Sequence, residues 1–383
     1  MAAMNAPRAE TVIDLDAVRH NVGILAGRAA ASGAGTIVVV KADGYGHGAV
    51  DVATAALQAG ATDLGVCSVA EALALRDGGI DAPVLAWLHV PTEDLTPAVA
   101  AGVDIGVYST AQLAAAARAA VATGRTARVH LKADTGLSCG GTGPAGWTEL
   151  VTAAAAAPDV EVRAIWSHLA HADDPGHPVI EAQVSRFGEA YRVAREAGLR
   201  PLRHLANSAA TLTRPDLHFD LVRPGIAVYG LSPVPGEGHG LRPAMTLRSQ
   251  VALLKRVPAG EGVSYGHVWT TPRETTLALV PAGYADGIPR VLTGRLDVWL
   301  AGRRRPVVGR VRMDQVMVDC GDDLVAEGDE VVFFGTGERG EPTAAEWADK
   351  LDTIHYEVVA GMVRPRLTRT VLGRRGVPAG AAG

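Results

Sequence analysis

Residues 36–60 read TIVVVKADGYGHGAVDVATAALQAG and combine a β-rich run, a lysine, a glycine-rich loop and an alanine-rich segment. The run 36–40 consists only of β-branched residues, which predicts a buried strand, and the stretch 48–60, which ends in Gly, predicts a helix. Lys41 therefore directly follows the carboxyl end of a strand. This β–loop–α unit sets the pattern for the first half of the chain.

The same unit recurs along the first 240 residues. Besides 36–40, β-rich runs alternate with alanine-rich stretches at 64–67, 84–88, 104–107, 127–132, 161–166, 203–206 and 220–222. Strands alternating with helices favour an α/β fold with a parallel sheet, and eight units over about 200–250 residues favour a closed, TIM-like (β/α)8 barrel. A doubly wound open sheet is the structural alternative, but no GxGxxG motif follows the first strand.

The sequence changes character after residue 230. The segment SPVPGEGHGLRP (232–243) is rich in Pro and Gly and predicts a linker. The sequence beyond it predicts strands at 250–257, 276–281, 297–300, 306–312 and 329–334. We therefore predict two domains, a barrel over residues 1–238 and a mostly-β domain over residues 239–383.

Two details of the second domain are also predicted. Residues 343–351 (TAAEWADKL) indicate a helix, with Thr343 as N-cap and Glu346 completing a capping box. The three consecutive arginines 303–305 lie between two predicted strands. We interpret them as a solvated hairpin turn.

Length and composition exclude several classes of protein. A chain of 383 residues favours about two domains, and its net charge of −5 argues against a surface that coats nucleic acid. No apolar run reaches the roughly 18 residues of a membrane span, and the opening MAAMNAPRAE lacks the apolar stretch of a secretory signal. The cysteines Cys67, Cys139 and Cys320 suit neither a disulfide framework nor a CxxC metal site. We therefore expect a cytoplasmic protein.

Reactive side chains follow five of the eight predicted barrel strands, where such a barrel places its active site. They are Lys41, Lys132, Asp134, His168, Asn207, Ser208, Arg223 and Gly225. A lysine after four apolar residues can be desolvated, which lowers its pKa and makes the amine a nucleophile able to form a Schiff base. Ser208 and Gly225–Ile226 follow strands seven and eight, where barrels often bind phosphate. A Schiff-base lysine with a phosphate site suggests pyridoxal phosphate, although the spacing equally suits a sugar-phosphate aldolase.

Ten motifs of the chain closely resemble those of alanine racemases, in the family's order. They are VVVKADGYGHGA (38–49), HLKADTGL (130–137), WSHLAHADD (166–174), RHLANSAATL (203–212), DLVRPGIAVYGLSP (220–233), LRPAMTLRSQVA (241–252), GVSYGHVW (262–269), VPAGYADGIPR (280–290), GRVRMDQVMVD (309–319) and HYEVV (355–359). The resemblance covers roughly residues 10 to 360. It implies a fold-type III pyridoxal-phosphate enzyme that interconverts L- and D-alanine, normally to supply D-alanine for peptidoglycan.

The resemblance also implies roles for the matching residues. Lys41 would bind the cofactor and act as the base on one face of the substrate. Tyr265, supplied by the partner subunit of a head-to-tail homodimer, would be the base on the other face, because inversion requires two bases. Arg223 would face the cofactor's pyridine nitrogen with His168 behind it, which weakens the electron sink and restrains side reactions.

The remaining residues implied by the resemblance surround the cofactor and the substrate. Cofactor contacts would come from Tyr45, Asn207, Ser208, Gly225, Ile226 and Tyr356. Met313 and Asp314 of the partner would line the substrate pocket, and Tyr284 would narrow its entrance. Further out would lie Asp173, Arg290, Arg310 and Ile354. No metal is implied.

The chain departs from the family at Cys139. The family's K-x-D-T-G-(M/L)-x-R-x-G stretch reads Lys132-Ala-Asp-Thr-Gly-Leu-Ser-Cys139 here, so cysteine occupies the arginine position. That arginine usually anchors the cofactor's phenolic oxygen and the substrate carboxylate, and the lysine at position 132 is often carbamylated to orient it. Cysteine supplies no charged fork. Three interpretations follow: alanine racemisation with weaker anchoring, a different amino acid or pyridoxal-phosphate reaction, or weak catalysis.

Other classes fit the sequence less well. A pyridoxal-phosphate carrier would resemble the barrel alone, without a second domain containing Tyr265. A metal-dependent barrel hydrolase is suggested by His168, His171, Asp173, His204 and a carbamylated Lys132, but such a site normally needs a histidine pair after the first strand, where Lys41-Ala42-Asp43 offers none. A decarboxylase or aldolase on the same barrel would lack the SYGH and MDQ motifs.

Overall fold

A computed structural model of the protein describes residues 7–375, which fall into two compact units. Residues 16–242 form the first, here called the barrel unit, and residues 243–375 with 7–15 form the second, the sheet unit. The segment 1–6, where the sequence predicts no secretory signal, lies outside the described residues, as does 376–383. Within 7–375 no helix is both long and apolar enough to cross a membrane.

The barrel unit contains a closed barrel of eight parallel strands within residues 16–242, each paired with its neighbour in chain order. Gly35 and Thr36 of the first strand pair with Leu221 and Val222 of the last, which closes the barrel. The strands are Gly35–Val39, Asp63–Val66, Val84–Ala86, Asp104–Val107, Ala127–Lys132, Val160–Trp166, Leu202–His204 and Leu221–Val222. The predicted (β/α)8 barrel is confirmed, and the open-sheet alternative is wrong.

Alanine-rich helices connect the strands, as the sequence predicts. Several begin at a side-chain cap: Ser68 and Glu71 form a reciprocal capping box, and Ser109 accepts a hydrogen bond from the Gln112 amide at 3.2 Å. The helices of this half are Leu15–Ala31, Ala49–Gln58, Val69–Asp77, Thr96–Ala100, Thr110–Thr123, Pro144–Ala156, Pro178–Glu196 and Ser208–Thr213. Where such a cap is present, it fixes the residue at which the strand-to-helix loop ends.

The sheet unit is mostly β, as predicted, with a nine-stranded sheet among the described residues. In spatial order its strands are Leu253–Val257, Thr275–Val280, Val316–Gly321, Arg303–Val308, Asp297–Leu300, Glu330–Phe334, Met245–Gln250, Ala9–Asp14 and Thr368–Leu372. A short ribbon pairs Gly262–Val263 with Trp269–Thr270, and two helices span Ala344–Leu351 and His355–Ala360.

The first strand of the chain, Ala9–Asp14, belongs to this sheet. It pairs antiparallel with Met245–Gln250 and parallel with Thr368–Leu372, so both of its edges are hydrogen-bonded. The predicted barrel domain of residues 1–238 included this segment. In the structure it lies in the sheet unit, and the first unit ends at Arg242.

The predicted hairpin turn at 303–305 is wrong. These arginines begin the strand Arg303–Val308, and the turn lies before them, at Ala301 and Gly302, where φ is positive. Because side chains alternate along a strand, Arg305 points inward and is buried. It donates to the carbonyls of Leu300 (2.9 Å) and Cys320 (3.1 Å) and pairs with Asp323 at 2.7 Å, which offsets the cost of burying its charge.

Three further predictions for the sheet unit need correction. The run 250–257 is interrupted at Val251–Ala252, which separates two strands, and the run 306–312 leaves its strand after Val308. Thr343 caps its helix by accepting from the Glu346 amide, but the reciprocal half of the capping box is absent. The Glu346 carboxylate instead pairs with Arg304 at 2.6 Å, because a charged bidentate partner competes successfully with a backbone amide.

Candidate active site

The chain turns sharply directly after Lys41. Ala42, Asp43, Gly44 and Tyr45 all have φ between 52° and 62°, which makes a single turn of left-handed helix. Left-handed backbone costs roughly 1–2 kcal/mol for each residue other than glycine. Backbone strain of this kind persists where surrounding contacts enforce it, and such places cluster at functional sites.

The Glu71 carboxylate is one of the contacts that hold this turn. Its Oε1 accepts from the Ala42 amide at 2.7 Å, and its Oε2 accepts from the amides of Cys67 (2.8 Å) and Ser68 (3.0 Å). One side chain therefore ties the ends of the first two barrel strands together. The Asp43 carboxylate adds a second clamp by accepting from the Ala49 amide at 2.9 Å.

Lys41 is half-buried at the end of the first strand. Its Nζ lies 5.8 Å from the ring centroid of Trp87 and 6.0 Å from that of Tyr45. Trp87 has room there because a glycine faces it on each of the two neighbouring strands. A Cβ on Gly65 would lie 2.6 Å from the Trp87 ring, and a Cβ on Gly106 would lie 2.7 Å from the Trp87 Cα. The lysine amine thus stands beside aromatic faces, which favour a cation nearby.

Arg223 is the central buried cation of the site. Its Nη2 donates to the Ser167 carbonyl at 2.7 Å and lies 3.3 Å from Nδ1 of His168. Burial lowers the pKa of Arg223 to about 9, so it remains charged at neutral pH. Burial, with the positive charges of Arg223, Lys132 and Lys41, lowers the pKa of His168 to about 3, so that imidazole is neutral.

A small cradle forms where strands seven and eight end. The buried Ser208 hydroxyl accepts from the amides of Gly225 (2.8 Å) and Ala227 (3.3 Å), and Asn207 caps the following helix by accepting from the Ala210 amide at 3.2 Å. A Cβ on Gly225 would lie 2.5 Å from the Tyr45 hydroxyl. Glycine at 225 therefore allows the two loops to approach closely.

Lys132 is buried at the end of strand five, and Cys139 lies exposed in the loop that follows. Nζ of Lys132 lies 4.7 Å from the Trp166 ring centroid and 5.2 Å from that of Tyr108. It donates to the backbone carbonyl of Cys139 at 3.2 Å. Burial and the positive charge of Arg223 lower the pKa of Lys132. The contact between these two residues therefore uses the backbone of Cys139 and is independent of its side chain.

Tyr265 is the most exposed of the predicted site residues in the sheet unit, with 73% of its surface accessible. It lies in a tight turn, Tyr265–His267, in which Ser264, Gly266 and His267 have positive φ. Arg310 supports the turn by donating from Nε to the Tyr265 carbonyl at 3.0 Å, and the Ser264 hydroxyl donates to the Arg310 carbonyl at 3.1 Å. The turn is thus fixed while the phenol projects outward.

A second exposed loop, residues 310–314, lies beside this turn. Met313 is 52% exposed, and the carbonyls of Arg312 and Met313 accept from the amides of Tyr284 (2.9 Å) and Ala285 (3.0 Å). A Cβ on Gly283 would collide with these carbonyls. The loop therefore brings Met313 and Tyr284 onto the same surface as Arg310, and Asp314 is held by Arg366 at 2.6 Å.

The other predicted residues lie in loops and helix ends. Ile354 precedes the helix His355–Ala360, in which Tyr356 is half-buried, and Ile354 and Arg290 are both exposed on the sheet unit. Asp173 is exposed in a loop of the barrel unit. Contacts within the barrel unit bring together Arg223 with His168, Ser208 with Gly225, and Tyr45 with Gly225. Those of the sheet unit bring Tyr265 to Arg310 and Tyr284 to Arg312, the residue before Met313.

Sequence reasoning missed the residues that support these groups. Trp166 lies against Lys132, and its ring centroid is 4.9 Å from the guanidinium carbon of Arg223. The same ring stacks on His204, with 5.6 Å between the two ring centroids. His204 and His130 are fully buried at inward positions of their strands. A histidine inside a predicted barrel strand was the available signal, since a buried polar residue needs a hydrogen-bond partner. In residues 7–375 no three His, Cys, Asp or Glu side chains group as metal ligands.

Comparisons with known proteins agree with this architecture. Residues 13–233 match the family described as alanine racemase, N-terminal domain, and residues 244–371 match alanine racemase, C-terminal domain. An alanine racemase from Salinispora arenicola is 55% identical over 96% of this chain and 99% of its own length. One from Mycobacterium avium is 56% identical over 94% of both chains.

A solved structure agrees as closely. The crystal structure of alanine racemase from D-cycloserine-producing Streptomyces lavendulae superimposes with a TM-score of 0.93 at 50% identity, covering 97% of this chain and 98% of the other. Both units thus match one family along nearly their whole length, as the ten sequence motifs predict. This chain belongs to the alanine racemase family.

Proposed function

We propose that this chain interconverts L- and D-alanine, with pyridoxal phosphate as cofactor, in a homodimer whose two sites each use residues of both subunits. The relatives named alanine racemase, at 55% and 56% identity, support alanine as the substrate. The single observation that carries the proposal is the set of groups at the barrel strand ends: the Lys41 amine, the buried Arg223 cation and the Ser208–Gly225 cradle.

The residues of the barrel unit fit pyridoxal phosphate. A phosphate needs amide and hydroxyl donors. The Ser208 hydroxyl accepts from the amides of Gly225 and Ala227 and so has its own proton left to donate, and the Gly225–Ile226 turn lies against it. A primary amine, Lys41, stands at the neighbouring strand end. Tyr45 and Tyr356 are proposed to complete the phosphate contacts, and Asn207 holds the helix that begins at Ser208.

The two proposed bases act from opposite faces. When bound, pyridoxal phosphate supplies an electron sink that makes the α-proton of an amino acid acidic. Nζ of Lys41, which holds the cofactor, takes or returns that proton on one face. Oη of Tyr265, contributed by the partner subunit, does so on the other face. Inversion follows because the proton returns from the face opposite to the one it left.

Arg223 limits the reaction to proton transfer. A guanidinium offers only N–H donors, so Arg223 would donate a hydrogen bond to a ring nitrogen placed against it and would disfavour protonation of that nitrogen. This weakens the electron sink and disfavours side reactions that need a stronger one. His168 behind it is kept neutral by its lowered pKa.

The sheet unit is proposed to contribute its exposed loops to the partner's site. Tyr265, Met313 and Tyr284 are large, largely apolar side chains on the surface of the folded unit. Exposed groups of this kind, fixed by backbone contacts to Arg310 and Arg312, are typical of an interface. Met313 and Asp314 would line the substrate pocket. Asp173, Arg290, Arg310 and Ile354 would surround its entrance.

For Lys132 we propose a free ammonium in this chain. Two aromatic faces and the Cys139 carbonyl surround its Nζ, and each of them favours a cation over a carbamate anion. No arginine at position 139 is present to pair with a carbamate. The Lys132 charge then supplies part of the positive potential that Cys139 lacks, which supports continued use of alanine. We further propose a cytoplasmic location and a role in peptidoglycan precursor supply.

The decisive experiment measures α-proton exchange in deuterated water by NMR over a panel of L- and D-amino acids. The enzyme is saturated with pyridoxal phosphate, and chiral chromatography follows inversion in the same samples. Exchange and inversion of alanine above all others are expected, and Lys41→Ala should abolish both. Faster exchange of another amino acid would overturn the substrate assignment, and exchange of none would overturn the reaction.

A further inference from the structure

A row of buried hydrogen bonds runs through the barrel from Arg223 to Asp104. Nη1 of Arg223 lies 2.9 Å from Nδ1 of His204, and Nε2 of His204 lies 2.9 Å from Nδ1 of His130. Nε2 of His130 lies 3.2 Å from Oδ2 of Asp104. His204, His130 and Asp104 are all fully buried, so no water competes for these contacts.

The two ends of the row fix the direction of every bond in it. Arginine can only donate, so Nδ1 of His204 carries no proton and the neutral ring holds its proton on Nε2. That proton is donated to Nδ1 of His130, which leaves the His130 proton on Nε2. Asp104, when ionised, can only accept it. Both imidazoles are therefore neutral Nε2–H tautomers, and the order of donation is Arg223 to His204 to His130 to Asp104.

Asp104 is held in the ionised state that this order requires. Burial alone would raise its pKa, but the hydrogen bond from His130, with the charge and the hydrogen bond of Arg163, outweighs burial and holds the pKa below its usual value. Arg163 contacts Oδ2 at 2.6 Å and Arg128 contacts Oδ1 at 2.6 Å. Arg163 also pairs with Asp63 on the second barrel strand. Burial, with the charge of Arg223, lowers the pKa of His204 well below its usual value, which keeps that ring neutral.

We propose that His130 and Asp104 are positioning residues for Arg223, acting by holding His204 in the one tautomer that accepts a hydrogen bond from the guanidinium. In the opposite tautomer, the Nδ1–H of His204 would meet the Arg223 N–H donor head-on. Arg223 would then lose one of its contacts and shift from its place beside His168. The carboxylate at the far end of the row thus sets the orientation of a cation that it does not touch.

The consequence for catalysis rests on the proposed function. If Arg223 faces the cofactor's ring nitrogen, the row from Asp104 keeps a donor aimed at that nitrogen and keeps the nitrogen unprotonated. The tautomer assignment itself rests only on the contacts in the barrel. The two statements can therefore fail separately.

The test begins with the wild-type holoenzyme. Nitrogen-15 NMR of labelled histidine rings distinguishes protonated from bare ring nitrogens, and His204→Gln and His130→Gln variants assign the two signals. At neutral pH both rings should be neutral, with the proton on Nε2. A His204 ring with its proton on Nδ1, or a charged His130, overturns the proposal without any mutation in the active site.

A matched pair of variants then tests the role. His130→Gln keeps the order of the row, because the glutamine oxygen accepts from His204 while its amide donates toward Asp104. His130→Leu removes both functions. We expect His130→Leu to release the His204 tautomer and to move the nitrogen-15 signal of labelled cofactor toward the protonated position. By analogy with the outer partners of metal-bound histidines, kcat should fall by roughly tenfold, and His130→Gln should largely restore it.

Asp63→Asn is the control, since it removes a buried carboxylate from Arg163 without touching the row. It should leave the His204 and cofactor signals unchanged. Equal signals in His130→Leu and wild type would overturn the proposal. If the predicted tautomers are found but wild type racemises no amino acid, the proposed function fails while the row stands. If alanine is racemised and the tautomers differ, only the row is wrong.

Discussion

The barrel unit and the sheet unit present their predicted site residues in opposite ways. In the barrel, Ser208 and Arg223 are buried and bonded to other site residues. In the sheet unit, Tyr265 and Met313 are 73% and 52% exposed and bonded only through their backbone to supporting loops. The barrel packs its predicted site residues against one another, whereas the sheet unit presents its own on the surface, as the proposed dimer requires. The comparison indicates two half-sites in one chain.

The largest effect should come from mixing two inactive enzymes. Lys41→Ala removes one proposed base and Tyr265→Phe removes the other, so each homodimer should be inactive or slowed by about 10²–10⁴. If Tyr265 acts in the partner's site, a mixed dimer contains one site with both bases intact. Activity should therefore return after the two proteins are unfolded together and refolded, and chiral chromatography would detect it.

A control separates this outcome from simple stabilisation. In the control, the Lys41→Ala enzyme is mixed with a double variant that carries both Lys41→Ala and Tyr265→Phe. No dimer in this mixture has a site with both bases, so the mixture should stay inactive. Restored activity in that mixture, or none in the first, would mean that the exposed Tyr265 does not complete a partner's site.

Acid should reveal how strongly the barrel depends on its buried charges. The folded-state pKa of Asp104 lies at about 2, below its ordinary value of 3.8. Because the folded pKa is the lower one, this group stabilises the fold above pH 3.8 and loses that contribution as pH falls toward 2. The difference corresponds to about 2 kcal/mol. Hydrogen exchange of barrel peptides across this range should show the loss in wild type, and Asp104→Asn should lack it.

Much of this arrangement could be predicted from the sequence. Eight β-rich runs separated by alanine-rich stretches predicted the barrel, because the strand and helix periods are both local properties. The residues at the strand ends followed from the topology of such a barrel. The family motifs then added Tyr265 and Met313, which no local pattern singled out.

The remaining features depend on long-range contacts. Ala9–Asp14 lies in the sheet unit because two distant strands offer it backbone partners. Arg305 is buried because Asp323 and two carbonyls meet it, and no run of three arginines reveals that. The row of hydrogen bonds from Arg223 to Asp104 joins residues on, or directly after, four different barrel strands. These residues therefore meet only once the barrel is closed.

The cradle at Gly225 offers a smaller change that tests the barrel's half-site alone. Gly225 has a φ of −115° and a ψ of −89°, outside the α and β regions, so Gly225→Ala adds backbone strain as well as a methyl group 2.5 Å from the Tyr45 hydroxyl. The crowding should cost about 1–3 kcal/mol, most of it in cofactor binding, or roughly tenfold in its dissociation constant. An absorbance titration with pyridoxal phosphate measures this.

Gly188→Ala is the matched control, because a Cβ there meets nothing within 4 Å in the helix Pro178–Glu196. It should leave cofactor binding unchanged. Equal binding by the two variants would indicate that the phosphate lies away from Gly225.

The smallest effect concerns Cys139, which in the family resemblance occupies the position of an arginine. If Lys132 is a free ammonium, carbon-13 NMR of wild type in labelled bicarbonate should show no carbamate signal.

The variant Cys139→Arg tests the same position from the other side. It places a second cation near Lys132, and burial has already lowered the pKa of Lys132, so the carbamate form should be favoured. The variant should then gain both a carbamate signal and a few-fold, up to about tenfold, increase in kcat/KM for alanine, since a charge-assisted hydrogen bond contributes about 1.5 kcal/mol or more. Cys139→Ser is the control and should change neither measurement, because the hydrogen bond from Lys132 goes to the backbone carbonyl at this position and serine adds no cation. A carbamate already present in wild type would mean that the Lys132 environment works without an arginine, and that the departure at Cys139 leaves this part of the barrel's site intact.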